Sequence, residues 1–387
     1  MRSLRARRSP GAEKTVAVDK GDARGENSFS GYGTWLHMRE IRHEGVDPRF
    51  GSEGMSDMMD ANRPIVVLVA TGGTIAMKVD PDLQAPRPVF DGDELLALRP
   101  DIAGLARLDV INLFNIPSEY MDPDRWRALH AAVTVAVARP EVAGVIVSHG
   151  TDTMEETAWF LDLTLDTDKP VVLVGAQRNA SEVDFDGPRN LFNAVRICLS
   201  PEASGKGVVI CLNDQINAAR EASKTSTSEV ATFKSGDFGF LGQVDPDAVR
   251  FYRSPARRQH VPLLDGPLPR VDIVPSYAGA DGVLLRAAAE AGARGVVLAA
   301  LGCGNVPLGQ YETLRELVTR GVAIVIATRV PNGRVFPLYG YPGGGRSLAE
   351  AGAAYADNLS PQHARVLLML GLQHGLDARG VQALFAR

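Results

Sequence analysis

The sequence predicts an α/β protein made of two doubly wound units with mostly parallel sheets, the N-terminal one larger than the C-terminal one. Three observations carry this: fully apolar runs of strand length recur along the chain, helical patterns fall between them, and the alternation continues through both halves. A segment that is apolar at every position suits a strand covered on both faces, as parallel sheets require.

Residues 1–62 come first and stand outside that pattern. They are rich in Arg, Gly, Ser and Asp, with only scattered apolar residues, as around Tyr32 to Met38. Such a composition cannot bury enough surface to offset chain entropy, so a disordered extension is expected. Its basic residues suit a nucleic-acid or targeting arm or a start codon assigned too far upstream, and the second is preferred because Met55, Met58 and Met59 sit just ahead of the first strand.

Order is expected from Ile65, where an apolar run to Ala70 lies between Pro64 and the pair Gly72-Gly73. Further strands are predicted at residues 142–147, 171–174, 208–212, 296–301 and 322–327. Helical patterns occupy residues 123–137, 155–165, 188–199, 281–291 and 310–319. The stretch 251–269 breaks the alternation with clustered Pro and Arg and reads as a linker, leaving a first domain over 63–250 and a second over 270–387. Near the end, Ser360-Pro361 supplies a helix cap and a first-turn proline, Gly375 a stop, and Asp377 the start of a last helix.

Composition narrows the function classes. With 45% apolar and 22% charged residues the chain can form a sizeable core, and a net charge of −5 offers no general attraction to nucleic acid or to anionic membranes. No apolar run approaches the ~18 residues of a membrane span. The three cysteines, Cys198, Cys211 and Cys303, are widely spaced and form no Cys-x-x-Cys, which points away from zinc and disulfide frameworks and towards a reducing, cytoplasmic compartment. A small-molecule substrate is the expected partner.

In an open α/β sheet ligands bind beyond the carboxyl ends of the strands, so the loops after the apolar runs are the place to search. The first is Thr71-Gly-Gly-Thr-Ile-Ala76, whose glycines allow a tight turn and close backbone approach to a ligand, with Thr74 displayed beside them. A strand-to-loop turn can require glycine on steric grounds alone, and the loop lacks a phosphate-binding pattern. The second is Ser148-His-Gly-Thr-Asp-Thr153, which opens a helix. Thr153 with Glu156 three residues on fits a capping box, which leaves Thr151 and Asp152 unexplained. A hydroxyl beside a carboxylate is suited to orienting water or holding an ammonium group. His149 suggests Ser-His-Asp chemistry, but no Gly-x-Ser-x-Gly elbow exists to complete it, so packing or backbone bonding is its expected role.

Together, Val69-Ala-Thr-Gly-Gly-Thr-Ile-Ala76 and His149-Gly-Thr-Asp-Thr-Met-Glu-Glu-Thr-Ala158 resemble the two signature segments of the bacterial-type L-asparaginase family. The resemblance runs from Ile65 to Arg387 and takes in Lys169-Pro-Val-Val-Leu-Val-Gly-Ala176, Asp186-Gly-Pro-Arg-Asn-Leu191, Ser223-Lys-Thr-Ser-Thr227 and Val230-Ala-Thr-Phe-Lys234. It implies hydrolysis of L-asparagine to L-aspartate and ammonia, without metal or organic cofactor, in a homo-oligomer, dimer or tetramer, whose sites lie between subunits. It also implies roles: Thr74 as the attacking hydroxyl, and Thr151, Asp152 and Lys224 as a polar group that manages its proton. Ser118 and Glu119 would hold the α-carboxylate and, with Asp152, the α-ammonium; the backbone at Gly73 and the carbonyl of Ala176 would surround the scissile amide. The chemistry is consistent, because a threonine hydroxyl is a weak nucleophile that needs a base or charged network beside it.

The chain departs from the resemblance in three places. Ile75 to Pro100 contains no tyrosine where the family often carries one that assists the nucleophile; Phe90 lacks the hydroxyl, so either Tyr120 reaches in from another direction or Thr74 relies on the Lys224 network. In Leu301-Gly-Cys-Gly-Asn-Val306 a family asparagine is replaced by Cys303, with Asn305 a candidate to compensate. Tyr339-Gly-Tyr-Pro-Gly-Gly-Gly345 is unlike the usual C-terminal loop. Glutaminase activity, an ammonia-releasing amidotransferase subunit, a catalytically weak amino-acid-binding module and a nucleotide-binding protein stay open as alternatives.

Overall fold

The computed structural model of the chain describes residues 63–386, so the expectation of disorder over residues 1–62 lies outside the described residues. Two sheets organise the rest. In chain order the elements of the first lobe are β1 (Ile65–Gly72), β2 (Met77–Asp80), β3 (Ala85–Pro88), α1 (Gly92–Ala97), β4 (Arg107–Ile116), α2 (Pro123–Ala138), β5 (Val142–Ser148), α3 (Met154–Thr164), β6 (Val171–Val174), α4 (Gly187–Leu199), β7 (Val208–Leu212), β8 (Gln215–Ala218), β9 (Ser223–Lys224), β10 (Phe233–Lys234), β11 (Gly242–Val244) and β12 (Val249–Phe251). The second lobe contains β13 (Val271–Pro275), α5 (Val283–Glu290), β14 (Gly295–Ala300), α6 (Leu308–Thr319), β15 (Ala323–Thr328), α7 (Gly345–Glu350), β16 (Ala354–Tyr355), α8 (Pro361–Gln373) and α9 (Ala378–Phe385).

Eight strands form the larger sheet in the order β12-β11-β8-β7-β6-β5-β1-β4. Pairing is parallel from β7 through β4 and antiparallel across β8, β11 and β12. The apolar runs are explained by what covers the two faces. Along β1, Val67 and Val69 enter one core with Trp126, Leu129, Trp159 and Phe160 of α2 and α3, while Val66 and Leu68 enter another with Leu191, Ala194 and Val195 of α4. Strands β5, β6 and β7 alternate in the same way. Each such fully buried aliphatic side chain contributes roughly 1.5–3 kcal/mol, enough to make the period-two assignment decisive.

The smaller sheet is parallel throughout, in the order β13-β14-β15-β16. Leu285, Leu314, Leu317 and Leu348 from α5, α6 and α7 cover one face, while Leu367 and Leu370 of α8 cover the other. Helix α8 also packs on α3, so one buried cluster runs from Val67 and Trp159 through Leu367 to Val297 and Val325 of the second sheet. Trp159 Nε1 donates to the His363 carbonyl at 3.2 Å within this seam. No helix among the described residues is long and apolar enough to cross a membrane.

The predicted strands and helices begin and end within two residues of those observed, and Ser360 and Asp377 cap their helices by accepting from His363 N and Gly380 N. Gly375, at φ 72°, ends α8 in the left-handed region. The antiparallel extension, β13 and the edge strand β4 were not predicted. Strand β4 interrupts its apolar residues with Asp109, Asn112 and Asn115, as its place at the sheet edge allows, and so shows no continuous apolar run.

Trp159 is fully buried in the cluster common to both sheets. Trp159→Ala is expected to cost about 3–5 kcal/mol in urea denaturation and to loosen both lobes in one transition; separate transitions for the two lobes would contradict a continuous core.

Candidate active site

The direction of the chain reverses at β1. It leaves β1 for β4 on one side and then crosses to β5 on the other, so the carboxyl ends of β1, β4 and β5 open on the crevice of a topological switch point. Their loops pack backbone against backbone. A Cβ at Gly73 would lie 2.2 Å from Gly150 N, and one at Gly72 would lie 2.5 Å from the Ile116 backbone; both residues have positive φ. A Cβ at Gly150 would lie 2.7 Å from Ser118 Oγ, and one at Gly175 would lie 2.6 Å from the His149 carbonyl. Only glycine permits these approaches. Hydrogen bonds fix them: Gly73 N donates to Ile116 O at 3.0 Å, Thr71 Oγ1 to Ser148 O at 2.7 Å and His149 N to Val174 O at 2.8 Å.

The predicted residues gather on this frame. Lys224 reaches in from the β9-β10 hairpin, and its ammonium donates to Thr151 Oγ1 at 2.9 Å and to Asp152 Oδ1 at 2.6 Å. The lysine side chain is 16% exposed and its aspartate partner 64%, so the pair lies at the mouth of the crevice and not in the core. Ser118 is buried; its hydroxyl accepts from Asp152 N at 3.2 Å and its carbonyl from Thr153 Oγ1 at 2.8 Å. Thr153 therefore does not form the predicted capping box. Its hydroxyl is committed to Ser118, it makes no cap bond to α3, and Glu156 pairs instead with Arg365 of α8 at 3.4 Å.

Thr74 follows Gly73 in a single 3-10 turn, partly buried, and its hydroxyl makes no hydrogen bond to the described residues. Ala176 is buried just beyond Gly175, in a loop whose Gln177 and Arg178 N–H groups donate to Asp186 and whose Gly175 carbonyl accepts from Asn190 at 3.0 Å. Glu119 is exposed and makes no hydrogen bond or ion pair with the described residues. Tyr120 is 61% exposed and its hydroxyl has no hydrogen-bond partner among the described residues. Phe90 packs on the second core. The Asn305 side-chain oxygen accepts from Gly345 N at 3.2 Å, which ties it to the start of α7.

Two groups escaped the sequence reading. Glu155 is buried in the first turn of α3, where it accepts from Lys224 N at 2.6 Å, and burial holds its carboxyl up at about 7 against the opposing pull of that N–H. In the sequence only its neighbour Glu156 drew a reading, as the partner of Thr153 in a helix cap. Asp186 and Asn190 shape the Ala176 loop from the start of α4, and nothing in their spacing distinguishes them from ordinary capping residues.

His149 has the packing role expected of it. Trp126 Nε1 can only donate, and does so to Thr157 Oγ1 at 2.9 Å; Thr157 then gives its proton to His149 Nε2 at 3.0 Å, leaving Nδ1–H to meet the Gly150 carbonyl at 2.7 Å. Burial pushes the imidazole down to about 4, which matches this neutral tautomer. Among the described residues no group of three or more His, Cys, Asp or Glu could hold a metal ion.

The raised Glu155 carboxyl carries a stability consequence. Between its ordinary 4.5 and about 7 the folded chain binds more protons at this site than the unfolded chain, so its contribution to stability falls as pH rises through that window. Glu155→Gln, which cannot ionise, is expected to gain on the parent by on the order of 2 kcal/mol between pH 5 and pH 8 in urea denaturation. A difference that stays constant across that range would contradict the assignment.

Comparison with known proteins assigns both lobes to one family. Residues 65–257 match the family described as Asparaginase, N-terminal, and residues 270–385 match the Glutaminase/Asparaginase C-terminal domain. The chain is similar to L-asparaginase 2 of Bacillus subtilis (strain 168), 36% identical over 83% of this chain and 86% of that protein. It is also similar to L-asparaginase 2 of Escherichia coli (strain K12), 35% identical over 83% and 92% respectively. The solved structure of a probable cytoplasmic L-asparaginase from Campylobacter jejuni is similar with a TM-score of 0.76 and 37% identity, covering 84% of this chain and all of that one. On its sequence, its fold and the two matched domains, the chain belongs to the bacterial-type L-asparaginase family.

Proposed function

We propose that this asparaginase cleaves L-asparagine by attack of the Thr74 hydroxyl on the side-chain amide, with Thr151, Asp152 and Lys224 managing the proton. The single observation that supports this best is the Lys224 ammonium bonded to both Thr151 and Asp152, in a loop whose Gly150 packs directly on Gly73 beside Thr74. Attack forms the Oγ–C bond and sends the hydroxyl proton to the Thr151-Lys224-Asp152 group. Collapse of the tetrahedral adduct breaks the C–N bond, and the same group returns a proton to the departing ammonia. Water then cleaves the acyl-threonine ester to give L-aspartate and restore Thr74.

Recognition follows from charge. Glu119 and Asp152 offer carboxylates to the α-ammonium, and Ser118 offers a hydroxyl to the α-carboxylate. The main chain at Gly73 and the Ala176 carbonyl surround the amide, and the carbonyl can accept from its NH2 group. Glutamine is longer by one methylene, worth about 1–3 kcal/mol of discrimination, so a weaker glutaminase activity is included in the reading. Three unpaired cysteines suit a cytoplasmic setting, and exposed Leu338, Tyr339 and Tyr341 suit self-association. The Thr74 hydroxyl, without a hydrogen-bond partner among the described residues, favours the second reading, a module that binds asparagine without turning it over.

Ammonia release from purified protein decides between the two, with asparagine expected to outpace glutamine and saturable binding without release supporting the module. Thr74→Ala is expected to lose on the order of 10³-fold or more in kcat, and Lys224→Met about 10²–10⁴-fold, with folding retained by circular dichroism. Near-full activity in the Thr74 variant would remove the proposed nucleophile.

A further inference from the structure

Lys224 is held at both ends by one short stretch of chain. Its ammonium is gripped by Thr151 and Asp152, and its main-chain N–H donates to Glu155 Oε2 at 2.6 Å, shorter than an ordinary N–H to oxygen bond. Thr151 and Asp152 precede α3 and Glu155 lies in its first turn, so a single rigid element sets the whole span from lysine backbone to lysine nitrogen. The element that carries Lys224 is, by contrast, slight. Strand β9 has two residues, Ser223 and Lys224, and pairs only with the two residues of β10.

We infer that Glu155 is a positioning residue for the amide-cleaving reaction, fixing the Lys224 main chain so that its ammonium meets Thr151 and Asp152 together. The inference rests on the reading of Lys224 as part of the proton-handling group. A buried carboxylate is a costly means of holding one N–H, and a neutral side chain could accept the same bond at lower cost. What the carboxylate adds is a strong acceptor for that N–H and, when ionised, a negative charge that Lys224 feels. The groups facing it are few: Ser223 and Lys224 from β9, Glu156 from its own helix, and His363 of α8 against its main chain. Arg365 is paired with Glu156, which leaves Lys224 as the cation that Glu155 addresses.

The test compares Glu155→Gln with Glu155→Ala in the full-length chain. Gln retains an acceptor oxygen for Lys224 N and is expected to keep kcat for asparagine within about fivefold, with altered pH dependence of kcat/KM between pH 6 and 8. Ala removes the acceptor and is expected to lower kcat at least tenfold with KM changed less than twofold, since the substrate-holding groups are untouched. An Ala variant that folds and keeps full kcat would overturn the inference, as would Gln and Ala profiles that are indistinguishable. Should Ala fail to fold, amide hydrogen exchange in the unsubstituted protein decides: protection at Lys224 N–H is expected, and free exchange there would overturn the role. Full activity in Lys224→Met would instead sink the reading on which the inference rests, so the two failures are distinguishable.

Discussion

The close approach of Gly73 to Gly150 is the constraint on which the rest of the site depends. Strands β1 and β5 are neighbours in register, so their following loops start side by side; whether they touch is decided by the absence of two side chains. Thr74 and Thr151 each follow one of these glycines, so the contact between the backbones brings the two threonines to the same crevice. The same logic extends outward, with Gly150 seating Ser118 and Gly175 seating His149, so four loops form one continuous wall. Fixing that wall before substrate arrives avoids an entropic cost during the reaction.

Lys224 enters from outside the sheet, and its hairpin is stapled by means that leave the lysine free to point inward. Thr232 is fully buried; its hydroxyl accepts from Ser226 N and donates to Ser226 O, and its carbonyl accepts from Thr225 N at 2.8 Å. The segment Val230-Ala-Thr-Phe-Lys234 thereby has a mechanical explanation: it closes the loop that presents Lys224. Glu155 joins this hairpin to α3, and α3 is in turn locked to α8 through Trp159 and His363. The second lobe thus supports the site through a helix and contributes to it no residue of the group centred on Lys224.

Much of this was legible in the sequence, for identifiable reasons. Runs such as residues 171–174 and 208–212 are apolar at every position because both sheet faces are covered, and that leaves little ambiguity. Strand β4 and the antiparallel extension were not legible, because edge and half-exposed strands mix polar with apolar residues and their pairing depends on partners distant in sequence. Thr151, Asp152 and Lys224 were predicted to converge and do so; Thr153 and Glu156 were read as a local cap, and instead each bonds to a distant partner. Spacing along one helix cannot reveal that a side chain has a better acceptor in another loop. Glu155 went unnoticed for the same reason, its partner being a backbone N–H that carries no sequence signal.

The most direct test of this account is a crystal structure of the protein with its product, L-aspartate. The account requires the side-chain carboxylate between the Thr74 and Thr151 hydroxyls, with the α-carboxylate at Ser118 and the α-ammonium at Asp152 and Glu119. Aspartate bound outside the crevice of β1, β4 and β5, or seated there with Thr74 and Thr151 too far apart to touch the same carboxylate, would contradict it.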